Sequence, residues 1–223
     1  MAYAEDTALI NDVQAAAANL KIASYWASGK PVEVEDDFLF EMHLLFRVVA
    51  ELGKNHGIEY LSGKGSKMHE FPRKGANKAG RPRFNVRNAS TGTIRCQVCA
   101  GTRARDRSGK ERALDLSIQT ADASDEPGVQ DVLQIFEAKY RSDSNRGITH
   151  PEFSAFAHWI ETFDLRTAET AGLDFGVLQD LDANCLVTNG DFSTEEDKER
   201  AHVNVREIAG FYPTTTHKRR PAP

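Results

Sequence analysis

The residues most able to do chemistry in this chain are charges set into apolar, β-branched runs. Glu137 and Lys139 lie in Ile135-Phe136-Glu137-Ala138-Lys139-Tyr140. Asp115 lies a short loop upstream, in Ala113-Leu114-Asp115-Leu116-Ser117-Ile118. Both runs read as strands. Desolvating an isolated charge costs several kcal/mol or forces the group neutral, so these residues need partners or a ligand. Side chains two apart on a strand share a face. Glu137 and Lys139 therefore point the same way, and Asp115 joins them if its strand is the neighbour. Two carboxylates and an ammonium on one face are the makings of a divalent-metal site with a built-in cation. A hard ion such as Mg²⁺, with Mn²⁺ as substitute, takes a few carboxylates plus waters and substrate oxygens. Phosphodiester hydrolysis must place a water in line with the leaving oxygen and neutralise phosphoryl charge, and such an ion can polarise the phosphate and lower the pKa of the water. Asp115 and Glu137 would hold it, and Lys139 would orient the water and stabilise developing negative charge. The bland alternative is an ion-pair network on a sheet edge, without metal.

The surrounding elements must bring these residues together. Residues 36–54 predict a strong helix, with Phe38, Met42, Leu45, Val48, Val49 and Leu52 at helical spacing and Gly53 or Gly57 ending it. Glu41 lies on or beside that stripe, while Glu51 falls with Arg47 and Lys54 on the polar side. Glu41 is thus the candidate to complete the metal shell or reach the ion through water. The other reading is a flanking side chain that reaches solvent, and the choice between Glu41 and Glu51 stays open. Thr93 to Gly101 alternates Ile94, Cys96, Val98 and Ala100 against Arg95, Gln97 and Cys99, a half-buried strand. Arg107-Ser108-Gly109-Lys110 supplies a hairpin turn. The return strand, Arg112 to Thr120, sets Leu114, Leu116 and Ile118 on one face and Asp115, Ser117 and Gln119 on the other. Gln119 is therefore a candidate to support the carboxylates from behind. The third strand runs from Asp131 to Tyr140.

Beyond the strands, Thr149 and Glu152 form a capping box with Pro151 in the first turn. They open a helix that buries Phe153, Phe156, Ala157, Ile160 and Phe163. Asn184 to Asn189 reads as a buried strand ending at Gly190. Ser193 and Glu196 form a second capping box, predicting a helix to about Ala209 with Ala201, Val205 and Ile208 inward. Phe211-Tyr212 adds a short strand. Residues 5–28 predict an Ala-rich helix, packed either on the domain or on a partner subunit. Cys96 and Cys99 lack a second ligand pair and point to opposite faces of a strand, so they read as structural cysteines.

Composition bounds the rest. With 223 residues, 40% hydrophobic and 27% charged, the chain fits one buried domain with a small appendage. No stretch approaches the roughly 20 apolar residues of a membrane span. Residues 1–6 show neither the basic region nor the apolar core of a signal peptide, and three cysteines fit reduced thiols in a cytoplasm. The net charge of −5 hides an asymmetry: residues 64–87 hold eight Lys and Arg against one acid, Glu70. Residues 61–90 read as one long basic loop. Lys64, Lys67, Arg73, Lys74, Lys78, Arg81 and Arg83, with Arg103, Arg105 and Arg107 of the hairpin, are the candidate nucleic-acid-binding residues. A solvated charged loop is the competing reading.

In this order, Leu114-Asp115, Glu137-Ala138-Lys139, Leu186-Val187-Thr188-Asn189-Gly190 and the helical Phe40-Glu41 resemble the PD-(D/E)xK nuclease superfamily and its Mrr-like branch, with Leu in place of the usual Pro. The resemblance covers roughly residues 36–210. It implies an α/β, restriction-endonuclease-like core with a central mixed sheet of four to five strands, flanked by helices, with an extra N-terminal helix. The organisation expected is 1–30, a helix able to contact a dimer partner; 31–212, the nuclease domain; and 213–223, a flexible basic tail. The activity implied is Mg²⁺-dependent endonucleolytic hydrolysis of DNA in restriction or defence, as a homodimer or with a partner subunit. The alternatives are a non-catalytic nucleic-acid-binding or assembly subunit of the same fold, and a nuclease acting on RNA or branched DNA.

Overall fold

The apolar spacing that predicts the second helix holds in the computed structural model, which describes residues 7–19, 35–65, 71–72, 75–143, 145–165, 173–192, 202–213 and 218–219. Helix α1 spans Thr7–Asn19, α2 Asp36–Asn55 and α3 His150–Thr162. Beside them lie strands β1 (His56–Leu61), β2 (Arg83–Asn88), β3 (Ile94–Arg105), β4 (Glu111–Thr120), β5 (Val132–Lys139), β6 (Asn184–Thr188) and β7 (Val205–Ala209), and a two-residue β8 (Lys218–Arg219). All eight form one mixed sheet in chain order. β1 to β5 pair antiparallel, β5, β6 and β7 pair parallel, and β8 lies antiparallel on β7.

The sheet separates two apolar layers. On one side α2 lies over Val86, Val98, Leu116, Phe136, Cys185 and Ile208. Helix α1 caps it from outside with Leu9, Val13 and Ala17, and Asp12 Oδ2 lies 2.6 Å from His43 Nδ1. Covered from both sides, α2 buries residues nearly all round its surface. On the other side α3 packs Phe153, Phe156 and Ile160 against Leu114, Ile135 and Leu186. Its capping box forms as expected, with Glu152 Oε2 accepting from the Thr149 N–H at 2.8 Å.

Several expectations need correction. The sheet has more than four to five strands, because β1 and β2 lie inside or beside the stretch read as loop, and because β7 replaces the end of a predicted helix. Ser193 and Glu196 lie outside the described residues, but Val205–Ala209 is extended and pairs with β6. Phe211-Tyr212 is not a strand; the Phe211 N–H donates to Thr188 O at 2.9 Å. Lys218 and Arg219 pair with Ala209 and Ile208, so part of the expected tail belongs to the sheet. β3 is buried on both faces at its centre, Gln97 and Cys99 included; Gln97 Nε2 donates to Ala121 O at 2.7 Å, and Ala76 bridges to Thr102 along the strand's edge. Leu114 packs in the α3 layer while Leu116 and Ile118 pack in the α2 layer. That change of side falls where the β3–β4 register skips Gly101 and Asp115. Gly101 sits there at φ +58, a conformation that favours glycine. Glu51 is buried rather than solvent-facing, because the segment at Gly176 closes over it; both its carboxylate oxygens accept from Lys54 Nζ at 2.7 Å.

Candidate functional site

The candidate site forms at the C-terminal end of β5. Leu116 pairs with Phe136, and continuing that antiparallel register one step sets Asp115 opposite Glu137. Asp115 Oδ2 accepts from the Ala138 backbone N–H at 2.9 Å, which fixes the carboxyl against the neighbouring strand. Lys139 Nζ donates to Glu137 Oε1 at 2.6 Å. The other oxygen, Glu137 Oε2, is buried and has no hydrogen-bond partner. A buried carboxylate oxygen without a donor is costly while charged, and either a proton shared with the neighbouring Asp115 carboxyl or a bound cation relieves that cost.

The electrostatics describe one cluster. Burial, with Asp115 adding to it, pushes Glu137 up to about 8, while Lys139 opposes the shift. Burial first, then Asp115, Glu137 and Asp37, push Glu41 up to about 9. Asp115 is also raised by burial, against the pull of the Ala138 N–H and Lys139. Burial disfavours the Lys139 ammonium, but Glu137, Asp115 and Glu152 outweigh it and hold its pKa above the usual lysine value. Carboxylates that repel one another in a desolvated place, with one ammonium among them, either hold protons or take up a cation.

Asp115, Glu137 and Lys139 are thus brought together; Glu41, on α2, is near enough to feel their charge but does not join them as a third ligand, and Glu51 is held elsewhere by Lys54. Asp37, one turn before Glu41 on α2, adds a charge that sequence reasoning missed. The i, i+4 spacing of Asp37 and Glu41 was the available signal. Gln119 does not support the carboxylates. It is fully buried four residues along β4, about 13 Å away at strand rise, and its Nε2 donates to Thr102 Oγ1 and Ser117 Oγ at 3.2 and 3.0 Å. Among the described residues no group of three or more His, Cys, Asp or Glu stands ready to hold a metal ion. Asp115 and Glu137 fit an ion as a pair of carboxylates, with the partnerless Oε2 as the observation in favour. The cysteines offer nothing here: all three are buried free thiols, pushed up to about 12, 11 and 12 for Cys96, Cys99 and Cys185 chiefly by burial.

The candidate phosphate-contacting residues disperse. Lys67, Arg73 and Lys74 lie outside the described residues. Lys78 corrects its expectation: it is 1% exposed, and its Nζ donates to Ala123 O at 2.8 Å, so it cannot reach a polyanion. Lys64 is exposed, and Arg81 and Arg83 are half-buried, Arg83 in β2 rather than in a loop. Arg103 faces Glu111 at 3.5 Å, and Arg105 lies between Glu111 and Glu126 at 3.5 and 3.6 Å. Arg107 clasps Asp164 and ties the hairpin tip to the end of α3. Pairs this loose and exposed contribute about 0–1 kcal/mol, so Arg103 and Arg105 stay open to exchange with phosphate.

No helix among the described residues is long and apolar enough to cross a membrane. Comparison with protein-family models, with curated proteins and with solved structures gives no match to this chain.

Proposed function

We propose that this chain is a metal-dependent nuclease of the PD-(D/E)xK kind that hydrolyses phosphodiester bonds of DNA. The observation that carries this reading is the buried Asp115–Glu137–Lys139 cluster with Glu41 beside it, in which one oxygen of Glu137 lacks a partner. Mg²⁺ would be held by Asp115 and Glu137, with Glu41 at its edge, and when bound it would supply phosphoryl charge neutralisation and an acidified water. The chain's own residues do the rest. Asp115 is fixed by the Ala138 N–H; Lys139, as an ammonium donor, orients the water and meets developing negative charge. Glu41 sets how much negative charge the seat carries. Arg103 and Arg105 give up their loose acidic partners to backbone phosphates.

A second reading, a non-catalytic nucleic-acid-binding subunit, is favoured by the closed Lys139–Glu137 pair and by the lack of a ready three-ligand group among the described residues. Incubation of supercoiled, linear and single-stranded DNA and of RNA with Mg²⁺, Mn²⁺ or EDTA separates the two. Cleavage of DNA with metal, lost in EDTA and in Asp115→Asn and Lys139→Ala, is the expected result. Cleavage that survives both substitutions would sink the site, and binding without cleavage would favour the second reading. Cleavage of RNA alone would move the substrate.

A further inference from the structure

Arg141 stands two residues beyond Lys139 and keeps the phase of β5. Phe136, Ala138 and Tyr140 all pack into the α2 layer, so Glu137, Lys139 and Arg141 share the opposite side. Its backbone is pinned from both directions: the Arg141 N–H donates to Asn189 Oδ1 at 2.6 Å, and Asn189 Nδ2 donates to Arg141 O at 2.8 Å. The side chain is held as well. Nη2 donates to Glu152 Oε2 and Nε to Gly147 O at 3.2 Å, with the Arg141 side chain 18% exposed. Glu152, which also caps α3, is close enough to Lys139 to raise its pKa. These two bonds use Nε and one N–H of Nη2, so they leave three of the five donors of the planar guanidinium outside the clasp.

A polyanion approaching this end of β5 meets Asp37, Glu41, Asp115, Glu137 and Glu152, with Lys139 already engaged by Glu137. We propose that Arg141 binds a backbone phosphate of the polynucleotide beside the Lys139 site, with Glu152 holding the guanidinium in place until the phosphate arrives. The proposal rests on the nuclease reading. Arg141 takes the phosphate through a bidentate pair of N–H groups, and Asn189 prevents the strand end from yielding as it does so. Sequence reading misses it because Arg141 falls past the apolar run and its partners Glu152 and Asn189 are distant in the chain.

The test is binding of a short DNA duplex by fluorescence anisotropy over a range of salt, in the cleavage-dead Asp115→Asn background. Adding Arg141→Ala is expected to lower the slope of log K against log salt by ~0.9, the value of one phosphate contact on duplex DNA. Arg141→Lys keeps most of the slope. Glu152→Gln loses comparable thermal stability but keeps the slope, because Arg141 remains. In the active background Arg141→Ala raises KM more than it lowers kcat. An unchanged slope in Arg141→Ala, with a stability loss matching Glu152→Gln, would show a purely structural clasp and overturn the proposal. Should Arg141→Ala not fold, Arg141→Gln serves for the same comparison. Failure of the unsubstituted chain both to bind and to cleave DNA overturns the nuclease reading and this proposal with it; binding and cleavage with an unchanged Arg141 slope overturns this proposal alone.

Discussion

Glu41 and Glu137 are held by the fold against their own charge. An unfolded glutamate ionises near 4.5, whereas burial and the neighbouring carboxylates move these two to about 9 and about 8. Between those values the folded chain binds more protons than the unfolded one, so stability falls as pH rises through that window. Glu41→Gln is therefore expected to melt higher than the unsubstituted chain in EDTA. The gap is small near about pH 5, widens to about pH 9, and then levels. Thermal scans across pH measure it, and a gap that does not grow would remove the repulsion. The same substitution is expected to weaken Mg²⁺-supported cleavage, a trade of function against stability. At Lys78 the expectation is the reverse of a phosphate contact: Lys78→Met leaves DNA affinity unchanged, whereas Arg103→Ala lowers it across all sequences and flattens its salt dependence. Asp115, Glu137 and Lys139 were legible because charges interrupt apolar strands, which is costly enough to be conspicuous. The basic residues were not, because a count of charges says nothing about the carbonyl that takes Lys78 or the acids that face Arg103 and Arg105.

Among the elements, β3, β4, β5 and α3 were legible because period and caps agree there. β1 was not, since all its positions are only half-covered and no face stands out. β2 follows a Gly- and Lys-rich stretch that hides its short Phe84/Val86 alternation. β7 was mistaken for helix because Ala201, Val205 and Ile208 fit a helical stripe equally well, and only the neighbouring β6 decides the matter. The β3–β4 pair depends on Gly101. A Cβ there would lie 2.5 Å from Pro72 O, on a backbone already at φ +58. Gly101→Ala is expected to destabilise the fold by about 1–3 kcal/mol, read from denaturant unfolding. Because Gly101 lies across from Asp115, the variant should also lose cleavage beyond what its unfolded fraction explains. A substitution tolerated without either effect would show that the bend is not needed.

At the scale of the whole molecule, the expected α/β class holds, while the N-terminal helix proves to be part of the core: its apolar side is spent on α2 of its own chain. Asp12 anchors it. The hydrogen bond from His43 is the main reason that the Asp12 carboxyl lies below the usual aspartate value of 3.8. A lowered carboxylate stabilises the fold above that value and loses its contribution as pH falls through the folded one. The melting-temperature difference between the unsubstituted chain and Asp12→Asn should therefore be full near about pH 5 and close on further acidification; a constant difference would assign the effect to packing. The sheet also follows the chain strand by strand, β1 to β8, with none inserted between earlier ones. A cut in the turn after β5 consequently divides the sheet along a single seam, with Asp115, Glu137, Lys139 and Arg141 on one piece and Asn189 on the other, while α2 and α3 each reach across it. The two pieces have the topology of a split reporter. Mixed, they should reassemble across the parallel β5–β6 edge and regain one cooperative unfolding transition, a complementation that an interleaved sheet would not permit.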